Sequence, residues 1–446
     1  MVRRKSERNC YSWGMAFTLM LFLLFSCGAV GENALTETTT TTTMTTTETI
    51  EGNAYFVAPE GSDSNDGSID SPWATISYAV KKTGAGDTVY LREGTYTEEV
   101  VLRGDWGAGG KNGQFWTLEA YPGETAVIKG NTMKLYMVEY VRIKGLRFEN
   151  SGISMNSWTK AGWTVPHNIE ILNNTFETPQ LRYSIITVHG NDNLVEGNVL
   201  KISGGGDSLD HGIYVQSGSR NIIRNNYISG ASGWGIHVYD ELKGSRTGQI
   251  TDVIIEGNTV IGGNKRGAII VATGRGETLA RGIIIRNNIL YSNGANEIEV
   301  RSKSKDIYIY NNTLYRGSEG GDGIRIAVCC STSGSINGVT IKNNLIDIGG
   351  SGGYHVNVGT SATELSGLIL ENNLYWPGPP ELKSIEDSRP VVGDPKFVSP
   401  GTVDLHLRSG SAAIDSGLTL REVTTDKDGT SRPQGSAYDI GAYEYH

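Results

Sequence analysis

The stretch Asn221–Ile228, which reads NIIRNNYI, returns along the chain in closely related forms. Gly282–Leu290 reads GIIIRNNIL, and six further phrases combine an apolar run with Asn-Asn or Gly-Asn. Their second asparagines, separated by 24 to 32 residues, are Asn174, Asn198, Asn226, Asn258, Asn288, Asn312, Asn344 and Asn373. A repeat of this length predicts a solenoid, in which each unit buries its apolar face only by stacking on its neighbours.

The repeated unit has the pattern of strands. Its apolar runs are short, rich in β-branched residues and bounded by Gly, Asn and Ser. Between the asparagine phrases lies a second run of the form Gly-Ile-x-Val, as in His211–Val215 and Trp234–Val238. Each repeat therefore predicts three short strands: Gly-Ile-x-Val, then a strand like NIIR, then one like YIS. The expected fold class is all-β, a single-stranded right-handed parallel β-helix of about nine or more coils.

The asparagines have two predicted tasks at the bend between the second and third strands. Asn tolerates the left-handed backbone that a tight bend needs. Gly197 and Gly257, which replace the first Asn in two phrases, meet the same need. When the coils stack in register, the side-chain amides can bond to those one coil above and below, as in an asparagine ladder.

With these repeats, the chain resembles the pectate-lyase-like superfamily of right-handed parallel β-helices, which are secreted or surface proteins acting on polysaccharides. Residues 54–98 resemble the N-terminal segment of those proteins, where strands and a short amphipathic helix, here ATISYAV, plug the solenoid. Residues 426–446 resemble the C-terminal tail of many surface-attached bacterial β-helix proteins. The resemblance implies a fold and a polysaccharide partner, but no particular sugar.

The N-terminus carries a predicted export signal. Basic residues precede the apolar run Met15–Phe25, and LFSC (Leu24–Cys27) resembles a lipobox, which would make Cys27 the lipidated residue. Plain secretion and a retained membrane anchor are the alternatives. We therefore expect a lipoprotein or secreted protein outside the cytoplasm. The predicted organisation is a lipoprotein-type signal peptide (1–27), a Thr-rich disordered linker (28–52), an N-terminal cap with the first strands (53–125), the parallel β-helix (126–376), and the C-terminal coils and cap (377–446).

The composition limits the partners. The 446 residues carry a formal net charge of -9, which argues against nucleic acid. The acidity also argues mildly against a polyanionic substrate, unless a local basic patch reverses the field. We expect a monomer that meets the membrane only through its lipid anchor. No organic cofactor is required and no metal site is evident, although the participation of Ca²⁺ stays open.

The outward side chains of the Gly-Ile-x-Val strands define the candidate site. If Ile and Val point inward, the residue between them and the residue after Val point outward. One outward column is Ser154, Thr187, Tyr214, His237, Ile270, Glu299, Arg325 and Asn357. The second is Asn156, His189, Gln216, Tyr239, Ala272 and Arg301. Two of the chain's seven histidines fall on these columns, and His211 lies at their edge.

This cluster suggests chemistry on a uronate polysaccharide. A lyase or C5-epimerase needs a clamp for the sugar carboxylate, a base for the proton beside it, and an acid. The candidates are His237 or His211 as the base, Tyr239 or Tyr214 as the acid, and Arg266 or Lys265 as the clamp. The candidate catalytic residues are thus His237, Tyr239, His211, Tyr214 and Arg266. The candidate substrate-binding residues are His189, Asp210, Gln216, Asp240, Lys265, Glu299 and Arg301.

Two alternatives remain open. Outward Tyr and His side chains on a sheet often stack without doing chemistry, which fits a non-catalytic surface protein that binds glycan or has a structural role. A glycoside hydrolase instead needs two carboxylates at a suitable separation, and Asp210, Asp240 and Glu299 could supply them. Because Asp and Glu are common in turns, the pattern is less distinctive than the histidines and tyrosines. The uronate lyase or epimerase is the first choice.

Overall fold

A computed structural model describes residues 52–155, 164–178, 183–203, 209–240, 249–262, 265–273, 279–301, 303–317, 320–327, 334–350, 352–359 and 364–446. Ile50–His446 form one compact unit. The predicted signal peptide with Cys27, nearly all of the predicted linker, and Asn156 of the second outward column lie outside the described residues. Within them, no helix has the length and apolar character that a bilayer crossing requires.

Three long sheets of parallel strands form the body of the protein. Sheet 1 comprises Ala54–Val57, Thr88–Leu91, Trp116–Ala120, Glu139–Lys144, His167–Leu172, Leu194–Glu196, Gly218–Ser219, Ile222–Arg224, Ile250–Thr251, Ile254–Glu256, Ala280–Arg286, Ser304–Tyr310, Ile336–Lys342, Leu365–Ser366 and Ile369–Glu371. Sheet 2 comprises Gly94–Tyr96, Ala126–Lys129, Arg147–Glu149, Thr175–Thr178, Val199–Ile202, Tyr227–Ser229, Thr259–Ile261, Ile289–Tyr291, Thr313–Tyr315, Leu345–Asp347, Leu374–Trp376 and Val391–Val392. Sheet 3 comprises Val101–Arg103, Met133–Tyr136, Ile153–Met155, Ser184–Val188, His211–Val215, Ile236–Asp240, Ile269–Thr273, Asn296–Arg301, Asp322–Ala327, Val356–Val358 and Leu382–Lys383.

Each coil contributes first to sheet 3, then to sheet 1 and then to sheet 2. In one coil the strands are His211–Val215 in sheet 3, the short pair Gly218–Ser219 and Ile222–Arg224 in sheet 1, and Tyr227–Ser229 in sheet 2. This is the order predicted from the repeat, and the right-handed parallel β-helix of about nine turns confirms the predicted fold class. The inward side chains, such as those of Ile213 and Ile223, are fully buried in one continuous core. Alternation then turns the intervening side chains outward.

The asparagine ladder is present, and it divides the two predicted tasks between adjacent residues. The first position of each pair has a left-handed backbone, with φ of 55° at Asn225 and 64° at Gly257. The second position forms the ladder: the backbone N–H and the amide of Asn226 both donate to Oδ1 of Asn258, each over 3.0 Å. The ladder runs from Asn174 to Asn373 and ends on a carboxylate oxygen of Asp387.

A short helix, Ile76–Lys82, packs at the N-terminal end of the coils and buries Ile76, Ala79 and Val80. Thr75 caps it by accepting a hydrogen bond from the N–H of Tyr78 over 3.1 Å. The helix therefore covers the apolar interior of the first coil, which would otherwise be open to water. The other helical segments are single 3-10 turns, Gly104–Trp106 and Pro400–Thr402.

The C-terminal segment lies along the side of the solenoid, against sheet 2. An antiparallel pair, Phe397–Ser399 and Asp404–Leu407, follows the last coil strands. Side chains from this segment join outward residues of sheet 2 in a second apolar cluster, which contains Ile289, Leu345, Leu374, Phe397, Leu405, Leu407, Ala413, Ile440, Ala442 and Tyr443. The tail also accepts a hydrogen bond of 3.1 Å from the amide of Asn311 to the carbonyl of Asp439. The outer face of sheet 2 is thus covered around Ile289, Leu345 and Leu374, whereas sheet 3 carries the candidate site.

Loss of one ladder amide should destabilise the protein measurably. Asn226→Ala removes the acceptor of two donors on Asn198 and leaves buried polar groups without partners. We expect the free energy of unfolding to fall by about 2 to 3 kcal/mol, measured by urea denaturation. Tyr227→Ala, a change at an exposed neighbouring position, is the matched control. Equal stability of the two variants would contradict a role of the ladder in stability.

Candidate active site

Sheet 3 stacks the outward side chains in the predicted order. Strand pairing aligns Ser154 with Thr187, and the same column continues through Tyr214, His237, Ile270, Glu299, Arg325 and Asn357. In the second column Tyr239 aligns with Ala272. The inward neighbours of His237, Ile236 and Val238, are fully buried in the core. The imidazole of His237 therefore lies on the outer face of the sheet.

Four aromatic rings meet at this position, and we name them the His–Tyr cluster: His211, Tyr214, His237 and Tyr239. The ring centroid of His237 lies 4.2 Å from that of His211 and 4.5 Å from that of Tyr214. Tyr239, two residues further along the same strand, stacks on His237 at 5.1 Å with an interplanar angle of 22°. The structure thus brings four of the five candidate catalytic side chains into direct contact around His237.

The side chains of the His–Tyr cluster are more deeply buried than is usual on the outer face of a sheet. His237 is 7% exposed and Tyr214 is 3% exposed. An apolar group on the outside of the sheet, formed by Trp234, Ile270 and Ala272, packs against Tyr239. The surroundings of His237 are therefore poor in water and rich in carbon atoms.

His237 is held neutral by these surroundings. Burial lowers the pKa of its imidazole well below the usual 6.5, and the nearby charges of His211, Arg301 and Arg266 lower it further, in that order. Its Nδ1 atom is buried and has no hydrogen-bond partner in the described part of the chain. A buried polar atom left in this way costs about 1 to 3 kcal/mol. A neutral imidazole with an unused lone pair can accept a proton or a hydrogen bond from a ligand.

His211 has a different role because its Nδ1 is occupied. That atom accepts the backbone N–H of Trp234 over 2.8 Å. Gly233 makes this approach possible, since a Cβ atom there would lie 2.4 Å from the same Nδ1. Of the two candidate bases, His237 therefore fits better, and His211 fits a positioning role. Sequence reasoning missed Trp234 and Gly233, although the Gly-Trp-Gly run before the strand was visible.

The candidate binding residues are placed unevenly. His189 bonds through Nδ1 to the hydroxyl of Ser217 over 3.0 Å and also bonds to Gln216. Its described contacts do not include the residues of the His–Tyr cluster. Burial lowers the pKa of His189 to about 4. Glu299 accepts a 2.6 Å hydrogen bond from Arg301, so these two candidates form an ion pair with each other.

The remaining candidates lie close in sequence to the strands of the cluster or to the strand that follows. Asp210 and Asp240 are both buried, and Asp210 accepts a 3.3 Å hydrogen bond from the hydroxyl of Ser232. Arg266 is half-buried and is held by its carbonyl, which accepts the N–H of Ala295 over 2.8 Å. Lys265 is exposed at the rim. The geometry thus combines a neutral imidazole, two phenols and a guanidinium on one outer face.

Two family descriptions match this chain. Residues 55–178 match "Pel9A-like, right handed beta helix region", and residues 117–322 match "Periplasmic copper-binding protein (NosD)". Together with the three-sheet solenoid, these matches support the resemblance to the pectate-lyase-like superfamily of right-handed parallel β-helix proteins. No three His, Cys, Asp or Glu side chains among the described residues come together as a metal ion would require.

Individual relatives share shorter segments. The uncharacterized protein YwoF of Bacillus subtilis is 30% identical over 125 residues, which is 26% of each chain. Pectate lyase PEL9 of Emericella nidulans is 38% identical over 78 residues, 18% of each chain. The matches thus span about a quarter or less of these relatives. The crystal structure of pectate lyase Pel9A superposes with a TM-score of 0.58 and 16% identity, covering 88% of this chain and 96% of that one, which shows a shared fold.

The protonation state of His237 can be tested directly. NMR of ¹⁵N-labelled histidine, with His237→Gln to assign the signal, should show a neutral imidazole at about pH 6, since burial disfavours the cation. His406, whose ring contacts Asp404 and Asp428, is the internal comparison because its pKa is raised overall. Protonation of His237 near its unperturbed pKa would contradict the described environment.

Proposed function

We propose that this protein acts outside the cytoplasm on a uronate-containing polysaccharide, as a lyase by β-elimination or as the related C5-epimerase. The observation that carries the proposal is the stacked His–Tyr cluster, with a buried neutral imidazole at its centre and guanidinium groups nearby. The similarity of a 78-residue segment to pectate lyase PEL9 supports the same class of substrate, as does the match of residues 55–178 to the Pel9A-like region.

In the proposed reaction, a guanidinium neutralises the uronate carboxylate, which makes the adjacent C5 proton more acidic. Arg266 has this role, and its charge already acts on the His237 ring. His237 takes the C5 proton with its free lone pair. The C4–O bond then breaks, a C4–C5 double bond forms, and a phenol protonates the leaving oxygen. Tyr239 fits this acid better than Tyr214, because it is half-buried whereas Tyr214 is almost fully enclosed.

The charges near His237 have opposite effects before and after binding. In the free protein, burial and, after it, the neighbouring cations lower the pKa of His237 and keep its lone pair available. Once the substrate carboxylate pairs with a guanidinium, that repulsion falls and the imidazole becomes a stronger base. Substrate binding would thus activate the base only when a carboxylate is present, which favours uronates over neutral sugars.

A second candidate is glycan binding without turnover, which the stacked rings of Tyr214, His237 and Tyr239 would also serve. The glycoside hydrolase is less favoured. Of its three carboxylates, Glu299 is engaged by Arg301 over 2.6 Å and by the amide of Asn296 over 3.1 Å.

Turnover distinguishes these functions. The purified protein should produce unsaturated uronate, detected by ultraviolet absorbance, from at least one of polygalacturonate, alginate and a glycosaminoglycan. We expect His237→Ala to lower kcat/KM about 100-fold or more, and Tyr239→Phe to lower kcat. His406→Ala, in the C-terminal segment, is the control and should retain activity.

Other outcomes identify the alternatives. Exchange of the C5 proton with deuterated solvent, without absorbance, indicates the epimerase. New reducing ends without absorbance indicate a hydrolase and overturn the lyase. Binding to a glycan array with no reaction on any uronate favours the non-catalytic protein.

Export through residues 1–27 with lipidation at Cys27 completes the proposal. Expressed in a bacterium that processes lipoproteins, the full chain should label with a fatty-acid probe and fractionate with membranes. Cys27→Ser should abolish the label and release the protein. An unlabelled wild-type chain recovered in the medium would favour plain secretion.

A further inference from the structure

The C-terminal segment is held on the coils by the outward amides of the first asparagine in several pairs. The amide of Asn287 donates to the carbonyl of Thr425 over 2.8 Å. Asn343 donates to the carbonyl of Leu418 over 2.8 Å and accepts its N–H over 2.9 Å. Asn225, at the same position of an earlier coil, is exposed. Because amides and backbone groups do not titrate, these contacts fix the path of the segment at any ordinary pH.

One contact within the segment is ionisable. The imidazole of His406, on the strand Asp404–Leu407, lies between two carboxylates. Its Nδ1 atom is 2.7 Å from Oδ1 of Asp404, and its Nε2 atom is 2.8 Å from Oδ2 of Asp428. The same ring stacks on Tyr443 with the centroids 3.8 Å apart. A single imidazole therefore connects the antiparallel pair with a later turn, residues 426–430, and with the end of the chain.

Both contacts are hydrogen bonds only when the ring is protonated. An ionised carboxylate can accept but not donate, and a neutral imidazole has one N–H, whereas the imidazolium has two. In the neutral ring, one nitrogen lone pair would face a carboxylate oxygen at less than 3 Å. Loss of the proton thus removes one hydrogen bond and sets two acceptors against each other.

The other charged groups around this contact have partners of their own. Those next to it in the chain are Arg408, Asp426, Lys427 and Glu444. Arg408 and Lys427 each donate to a backbone carbonyl, and the carboxylate of Asp426 accepts backbone N–H groups. Glu444 accepts a hydrogen bond from Arg432 over 2.6 Å. The neighbouring strand, Phe397–Ser399, has no charged side chain. The carboxylates that the imidazole meets are therefore those of Asp404 and Asp428.

The protonation equilibrium of His406 gives the direction of the effect. Burial by itself lowers the pKa of His406, but the hydrogen bonds to Asp428 and Asp404 outweigh it and raise the pKa above 6.5 overall. The bond to His406 lowers the pKa of Asp404, which keeps that carboxylate ionised in mild acid. A raised histidine pKa stabilises the closed segment fully below about pH 6.5. This contribution is lost as the pH rises through the raised value.

We propose that His406, Asp404 and Asp428 form a pH-sensitive latch, which holds the 426–430 turn and the end of the chain closed in mild acid and loosens them in mild alkali. Loosening uncovers the outer face of sheet 2 around Ile289, Leu345 and Leu374 more often. The latch thus restricts the exposure of this apolar face to alkaline conditions. The inference is independent of the proposed reaction, because the His–Tyr cluster lies on sheet 3.

Hydrogen–deuterium exchange measured by mass spectrometry tests the latch. After correction for the intrinsic pH dependence of exchange, the protection of peptides from residues 426–445 should fall about fivefold between pH 6.5 and pH 9 in the wild-type protein. His406→Gln should make the protection nearly independent of pH over this range. Sodium chloride at about 1 M should weaken the pH dependence in wild type, because it screens the partly exposed charges.

Matched variants separate the latch from general effects of pH. Burial raises the pKa of Asp347 in sheet 2 to about 6, so its ionisation is common to wild type and His406→Gln. His167→Gln, which removes a part-exposed histidine paired with Glu139 in sheet 1, should keep the wild-type pH dependence. Asp428→Asn should lower the pKa of His406, measured by NMR, even if exchange in that variant is fast throughout. Equal pH dependence in wild type and His406→Gln refutes the latch, as does a pKa of His406 at or below 6.5.

Discussion

Backbone hydrogen bonding between successive coils, in fixed register, is the constraint on which the rest of this structure depends. Because every residue in a strand has a partner one coil away, residues far apart in sequence become neighbours about 4.8 Å apart. The asparagine ladder strengthens the register at one bend of each coil, since each amide bonds to the next. A slip by one residue would exchange the buried and outward side chains and place His237 in the core.

The outer faces of the three sheets are used differently. The later coils of sheet 2 are covered by the C-terminal segment, which contributes a second apolar cluster and the fully buried ion pair of Arg432 and Glu444. Sheet 1 carries cross-coil ion pairs, such as Arg142 with Glu170. Sheet 3 carries the His–Tyr cluster on its outer face.

Local periodicity in the sequence predicted the path of the chain. The order of three strands per coil and the column from Ser154 to Asn357 match the structure at every step, because alternation and register alone determine them. Burial on the outer face was beyond this reasoning, since Trp234 and Ile270 cover the cluster only after the chain has folded. The same holds for the packing of the C-terminal segment on sheet 2, which no repeat in the sequence signals. The carboxylate of Glu299 bonds to Arg301 rather than to Arg325, its partner in the strand register. That choice depends on side-chain geometry, which the sequence pattern does not give.

The environment of His237 is energetically unfavourable for the fold, which points to a functional reason for the residue. Leaving Nδ1 buried without a partner among the described residues costs stability, and burial, followed by the nearby cationic side chains, lowers the pKa of the imidazole. Neither feature stabilises the fold, and an apolar residue such as Ile270, which occupies the next position in the column, would avoid both costs. Under the proposed function, a substrate that brings a carboxylate to the guanidinium groups and a proton to the imidazole would satisfy both features. Sites that break a local rule of packing in this way are where a binding or catalytic centre is expected.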